Sequence, residues 1–95
     1  CRMKERLKNV LIEGLGLEDD AAEIVSSNVS DWAHNEARAV TCTIHVPEKV
    51  AIARFEGSDT LSISVTDSTN VAGAAIIKPG AKSYIVKFPL NGSCE

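Results

Sequence analysis

The sequence contains no glutamine, few aromatic residues and only three cysteines. Aromatic residues make up 4% of the chain, so a core cannot be built around large rings. The apolar residues are instead small or β-branched, with nine valines, eight isoleucines and eleven alanines. Because β-branched side chains suit a pleated surface, this composition predicts a core formed largely by sheet and filled with many small side chains.

Other absences exclude whole classes of protein. No apolar run approaches the ~18–20 residues of a membrane-spanning helix. Apolar residues are 44% and charged residues 24% of the chain, which is a globular composition and not that of a disordered tail. The net charge of −3 argues against nucleic-acid binding by bulk electrostatics. The length of 95 residues predicts one domain, residues 1–95.

The three cysteines are Cys1, Cys42 and Cys94. Because chain ends fray unless they are tied down, we expect Cys1 and Cys94 to be bridged or within bridging distance, with Cys42 buried and reduced. Two Asn-x-Ser sequons, at 28–30 and 91–93, fit a secreted chain. Three cysteines are few for a small secreted scaffold, however. The sequence therefore leaves open both a secreted or surface-displayed location and a cytoplasmic one.

Helical spacing of apolar residues predicts two helices near the N-terminus. The first covers about residues 3–13, and Gly14 and Gly16 end it. The second covers about 19–35, with Glu18 or Asp19 as its N-cap. Its predicted apolar face has Asn28 at its centre, so we expect Asn28 to lie against a sheet, hydrogen-bonded to the backbone and unglycosylated. The apolar residues of that face are Ala21, Ile24, Val25, Val29 and Trp32.

From residue 39 onward the hydrophobic period changes to two, which predicts strands. The predicted strands cover about 39–46, 50–55, 60–66, 71–78 and 83–89, with a turn at 67–70 and a type II turn at Pro79-Gly80. Short connections permit only antiparallel neighbours. The predicted fold is therefore α+β, with two N-terminal helices packed on one face of a five-stranded antiparallel meander sheet.

No constellation of residues in the sequence predicts catalysis. Cys42 and His45 are the candidates for a nucleophile and its base, but they lie three residues apart in a strand and so on opposite faces. Two histidines without paired cysteines do not predict a zinc site. Gly14-Leu15-Gly16 leads into three carboxylates, which would repel a phosphate group. We therefore predict no enzyme activity, no cofactor and no metal.

Charge is distributed unevenly along the chain. Residues 1–8 sum to +3, whereas residues 13–36 contain seven acidic residues and no lysine or arginine. A second helix of that composition would be repelled by DNA phosphates, so recognition of nucleic acid by a helix-turn-helix is not expected. The same asymmetry could dock the chain on another copy of itself or on a charged protein.

The leading functional prediction is a non-enzymatic protein-interaction or assembly subunit. It would use its dipolar charge surface and the sheet face turned away from the helices, which should carry few charges and many small polar side chains. The partner would be a protein, including the case of a second copy. The alternatives are a small secreted effector, toxin or inhibitor acting on another protein, an enzyme with an unrecognised site, or a face that is merely solvated. The residues predicted to form the contact face are Thr41, Thr43, His45, Ser62, Ser64 and Thr66.

Overall fold

The computed structural model describes residues 3–35, 39–57 and 59–89. In these residues two helices precede one antiparallel sheet, which confirms the predicted α+β class. Cys1 and Cys94 lie outside the described residues, so their predicted pairing stays a prediction. The elements are α1 (Met3–Leu15), α2 (Asp19–His34), β1 (Thr41–Val46), β2 (Lys49–Glu56), β3 (Thr60–Val71), β4 (Ala74–Ile77) and β5 (Ser83–Pro89).

The sheet follows the chain order from β1 to β3, and then both remaining strands pair with β3. β4 lies opposite residues 68–71 of β3, and β5 lies opposite residues 60–66. A simple meander would place β5 beside β4. Here the connection is a tight turn in which the Ala81 N–H bonds to the Lys78 carbonyl and Gly80 has a φ of 75°, as predicted for Pro79-Gly80. β4 and β5 therefore run in the same direction along β3, one after the other.

The predicted turn at residues 67–70 is wrong, because these residues continue β3. The chain reverses at Ala72-Gly73, whose φ angles of 53° and 83° suit the two-residue turn of a right-twisted hairpin. The fourth strand consequently shortens from the predicted 71–78 to residues 74–77. The polar residues at 67–70 remain in the strand because the sheet supplies partners. Asp67 accepts a bond from Lys49 at 2.8 Å, and the Ser68 N–H bonds to the Glu48 carbonyl at 2.9 Å.

The two glycines after the first predicted helix have different roles. Gly14 lies inside α1, where an added Cβ would meet the Val86 Cγ2 at 3.3 Å, so its small size lets α1 approach β5. Gly16 ends the helix with a φ of 69°. Its N–H bonds to the Ile12 carbonyl, which is the hydrogen bond of an αL motif, and the N–H of Leu17 bonds to the Leu11 carbonyl.

Helix α2 is rotated relative to the orientation that the sequence predicted. Its buried residues are Ala22, Val25, Ser26 and Val29, whereas Asn28 is exposed. The predicted placement of Asn28 against the sheet is therefore wrong. Its expected backbone bond is present, because the Asn28 Nδ2 donates to the Ile24 carbonyl at 2.8 Å on the solvent side. The hydrophobic pattern predicted the wrong buried face because Ser26, a polar residue, is fully buried. Its hydroxyl donates a hydrogen bond to the Glu23 carbonyl.

The core lies between the two helices and one face of the sheet, which we call the inner face. Helix α1 packs against β5 and helix α2 packs against β1, so together they span the sheet. No described helix covers the opposite face, which we call the outer face. The largest side chains buried in the core are Leu7, Leu11, Val25, Val29, Leu61, Ile63, Val65 and Phe88.

Candidate functional site: the outer face of the sheet

The strand register arranges the outer face as rows of residues that run across β1, β2, β3 and β5. The middle row contains Thr43, Ile52, Ser64 and Ile85, each paired with the next. On one side of it lies a row of Thr41, Arg54, Ser62 and Lys87, and on the other a row of His45, Val50, Thr66 and Ser83. All six residues of the predicted contact face therefore share the outer face.

The middle row is exposed and apolar in two of its four positions. Ile85 is 61% exposed and Ile52 is 36% exposed, with Ser64 between them on β3. The cross-strand neighbours of these isoleucines are short hydroxyl side chains, which do not shield them. Sequence reasoning left the outward residues of β2 open and did not assign Ile85, although its alternation with Val86 and Phe88 was the available signal.

The charges of the outer face are confined to one end. Arg54 and Lys87 share a row with Ser62, and Glu56 follows Arg54 along β2. Lys87 is engaged by Glu56, with 3.1 Å between Nζ and Oε2. The middle row contains no charged residue, and the row beyond it carries only His45 as a titratable side chain. A partner approaching the middle row would therefore displace little charge hydration. In the row beyond it, Val50 and Thr66 are already buried.

Accessibility differs among the six predicted contact residues. Thr41, Thr43 and His45 on the outermost strand are exposed, and Ser62 and Ser64 are half-buried. Thr66 is only 9% exposed, and its hydroxyl shares a 2.8 Å hydrogen bond with Ser83. Thr66 consequently has the least surface of the six to offer a partner.

A second apolar surface lies on the hairpin of residues 71–77, which we call the arm. The arm holds no charged residue, and Val71, Ile76 and Ile77 are each about half exposed. Gly73 at its tip and His45 of β1 line the same cavity of about 400 Å³, together with Ser68. The arm therefore reaches back toward the β1–β2 turn at one end of the outer face.

The first cavity is lined by both His45 and Ser68, but no hydrogen bond joins these two side chains among the described residues. The second cavity, of about 450 Å³, is lined by apolar Leu17 and Ile24 and by charged groups that include Lys49 and Asp67. Lys49 and Asp67 bond to each other at 2.8 Å, and this bond holds the pKa of the Asp67 carboxyl below its ordinary value.

Cys42 and His45 lie on opposite faces of β1, as their spacing predicted. Cys42 is on the inner face, opposite Ala53, and is half-buried with a free thiol. Burial raises the pKa of that thiol, which leaves it less nucleophilic at neutral pH. Within residues 3–35, 39–57 and 59–89 no cluster of metal-ligating side chains occurs, and neither helix has the length and apolar character to cross a bilayer.

Part of the charge asymmetry of the sequence is neutralised between the two helices. Lys4 of α1 lies 2.6 Å from Glu23 of α2, and Lys8 lies 3.4 Å from both Asp19 and Glu23. The basic first segment thus faces the acidic second segment of the same chain. These ion pairs engage Asp19 and Glu23, two of the seven acidic residues in 13–36, so they neutralise the predicted charge dipole only in part.

No family model, curated protein or solved structure matches this chain in the comparisons with known proteins. A function for the outer face must therefore be inferred from the chemistry of its own residues.

Proposed function

We propose that this protein is a non-enzymatic interaction subunit that binds another protein through the outer face of its sheet, and that a second copy of the chain serves as that partner. The observation that supports this proposal most strongly is the uncharged middle row, in which Ile52 and Ile85 are accessible on a face that no described helix covers. Antiparallel sheets do leave one face in water, but such a face is normally polar along its strands.

The chemistry of the face favours contact with another sheet. Its side chains are mostly threonine, serine and isoleucine, which lose little rotamer freedom when they become buried. Two sheets pack face to face at ~10 Å, a separation that short side chains of this kind can fill. A second copy offers the same surface, so Ile52 and Ile85 of one chain would meet apolar and hydroxyl groups of the other.

Ser64→Lys tests the proposal, because it places a charge at the centre of the middle row. The wild type should show a mass above that of one chain that rises with concentration in light scattering or sedimentation. Ser64→Lys should lose the association made through this face and have a smaller mass than the wild type at the same concentration, since burying an unpaired ammonium group is costly. Asn9→Lys is the matched control, because Asn9 is exposed on α1 and the substitution adds the same charge away from the sheet.

Two results would contradict the proposal. One is a wild type that keeps the mass of a single chain at every concentration, which would favour an effector that acts on a different protein. The other is Ser64→Lys associating as strongly as the wild type and Asn9→Lys. Circular dichroism of each variant shows whether the fold is retained.

A further inference from the structure

Strand β1 forms one border of the sheet. Its only partner among the described strands is β2. The β1–β2 turn has two residues, Pro47 and Glu48, so Val46 and Lys49 close the hairpin as a hydrogen-bonded pair. Hydrogen-bonded pairs alternate along an antiparallel ladder, so the backbone groups of Thr41, Thr43 and His45 point away from β2. These groups form a row of donors and acceptors along the border.

This border lacks the features by which sheets normally prevent further pairing. Natural edge strands carry lysines, prolines or bulges that discourage an approaching strand. Residues 41–46 contain no proline and no charged residue, and they are rich in threonine, isoleucine and valine. An uncharged segment of this length with high β-propensity pairs readily when it is left open.

The opposite border of the sheet is guarded in several ways. It is formed by β4 and β5, which are separated by the turn at Pro79-Gly80. Lys82 precedes β5, Lys87 lies within it, and Pro89 ends it. The two borders of one sheet thus differ, and only β1 presents an uninterrupted and uncharged ladder.

We propose that β1 pairs antiparallel with β1 of a second copy about a two-fold axis through Thr43. In this register Thr43 faces the partner's Thr43, and Thr41 faces the partner's His45. The three pairs of outward backbone groups would form about six hydrogen bonds, two for each pair. The inference deepens the proposed function by naming a second contact between copies, but it uses the border of the sheet and not its outer face.

The self-complementarity of this register is what points to a second copy. No like charges meet, because β1 carries none, and threonine pairs across antiparallel strands are favourable. Continued by one step, the same register places Val40 opposite the partner's Val46. Val40 is 86% exposed, the highest exposure among the large apolar side chains described, and this contact would cover it.

Edge pairing also affects the outer face. It joins the two sheets into one continuous sheet, so the two outer faces lie side by side and double the apolar area available for packing. An isologous edge contact closes on itself and does not propagate into a filament. The remaining free borders are then the guarded ones, formed by β4 and β5.

Thr43→Pro tests the edge contact. It removes the outward N–H at the two-fold axis and places a ring in the path of the partner strand, while prolines are tolerated on edge strands. Thr43→Val is the matched control, because it retains the N–H and the branched side chain. In the Ser64→Lys background, where the outer face is blocked, we expect sedimentation to show dimers without a further change and with Thr43→Val. With Thr43→Pro in that background we expect a single chain and unchanged circular dichroism.

Amide hydrogen exchange of the wild type gives a second readout that needs no variant. As concentration rises, the N–H groups of Thr41, Thr43 and His45 should become at least tenfold more protected, whereas they should exchange rapidly in dilute solution. Exchange of these three groups at the same fast rate at all concentrations would overturn the inference. So would a folded Thr43→Pro that associates as strongly as Thr43→Val.

The same measurements separate this inference from the proposed function. In Ser64→Lys the outer face is blocked, so concentration-dependent protection of the three β1 groups should persist in an edge-paired dimer. If the three β1 groups stay protected in Ser64→Lys and its mass equals that of the wild type, only the face contact is contradicted. If Ser64→Lys abolishes association and the three β1 groups exchange rapidly in the wild type, only the edge contact is contradicted.

Discussion

The indole of Trp32 stacks on the ring of Phe55 with their centroids 4.7 Å apart and their planes inclined by 27°. The same indole donates its Nε1–H to the carbonyl oxygen of Ala39 at 3.0 Å. Trp32 is therefore attached both to the end of β2 and to the segment that leads into β1. One side chain in the last turns of α2 thus helps to place the border strand on which the proposed edge contact depends.

Trp32→Ala should lower the free energy of unfolding by about 2–4 kcal/mol, because it removes a large, half-buried ring and its stacking contact. Trp32→Phe should retain the stacking and lose only the hydrogen bond to Ala39, at a cost of about 1 kcal/mol. Urea denaturation followed by circular dichroism measures both, since replacing the single tryptophan removes its fluorescence. Equal losses for the two variants would mean that the stacking contributes nothing.

Glu23 should titrate far below an ordinary glutamate. Hydrogen bonds from Lys4 and then from Ser27 lower the pKa of Glu23 from 4.5 to about 2. Since the folded-state pKa lies below the unfolded value, this carboxylate stabilises the protein above pH 4.5. The contribution decreases as the pH falls and is lost below about 2. Both partners of the Lys4–Glu23 pair are about half exposed, so solvent screening keeps the effect on stability small.

Carboxyl NMR titration checks this expectation directly. In Lys4→Met the largest cause of the shift is removed, so the pKa of Glu23 should rise toward 4.5 while Ser27 still donates its bond at 2.8 Å. A wild-type Glu23 that titrates at 4.5 would show that the ion pair between the two helices does not form in solution.

Substitutions at the two turn residues of the arm should change its stability in opposite directions. Ala72 has a φ of 53°, a conformation that asparagine adopts more readily than alanine, and Ala72→Asn would complete the Asn-Gly pair preferred in this turn. We expect stabilisation on the order of 0.5–1 kcal/mol. Gly73→Ala should instead destabilise by about 1 kcal/mol, because φ is 83° there.

Amide exchange of the hydrogen-bonded groups between β3 and β4 measures these effects even if the arm opens without the rest of the fold. The two substitutions should shift that exchange in opposite directions. A shift of the same sign for both would show that the chain does not reverse at Ala72-Gly73.

Some elements were predictable because local physics decides them. The alternation of Leu61, Ile63 and Val65 with serines and a threonine places one face of β3 in the core wherever that strand pairs. The Pro79-Gly80 turn follows from a proline that sets φ and a glycine that accepts a positive φ. The opposite placement of Cys42 and His45 follows from the same period of two.

Other elements depended on partners that are distant in the sequence. Residues 67–70 have the composition of a turn, yet Asp67 remains in β3 because Lys49 pairs with it. Asn28 lies on the apolar face that the sequence predicted, but packing rotates α2 so that Ser26 is buried and Asn28 is not. The local sequence pattern does not distinguish a turn from a strand at 67–70, and it does not set which face of α2 is buried. In both places the deciding free energy comes from contacts across the fold.

The sequence by itself determined the class of the fold, the order of its elements and the alternation that separates inner from outer residues, since each depends on neighbours within a few positions. Only the tertiary structure decided that β5 pairs with β3, that Ile52 and Ile85 lie together on the outer face, and that β1 is the unguarded border. These features are set by register and by which strand lies outermost. Both arise when residues far apart in the chain compete for the same hydrogen bonds and the same buried area.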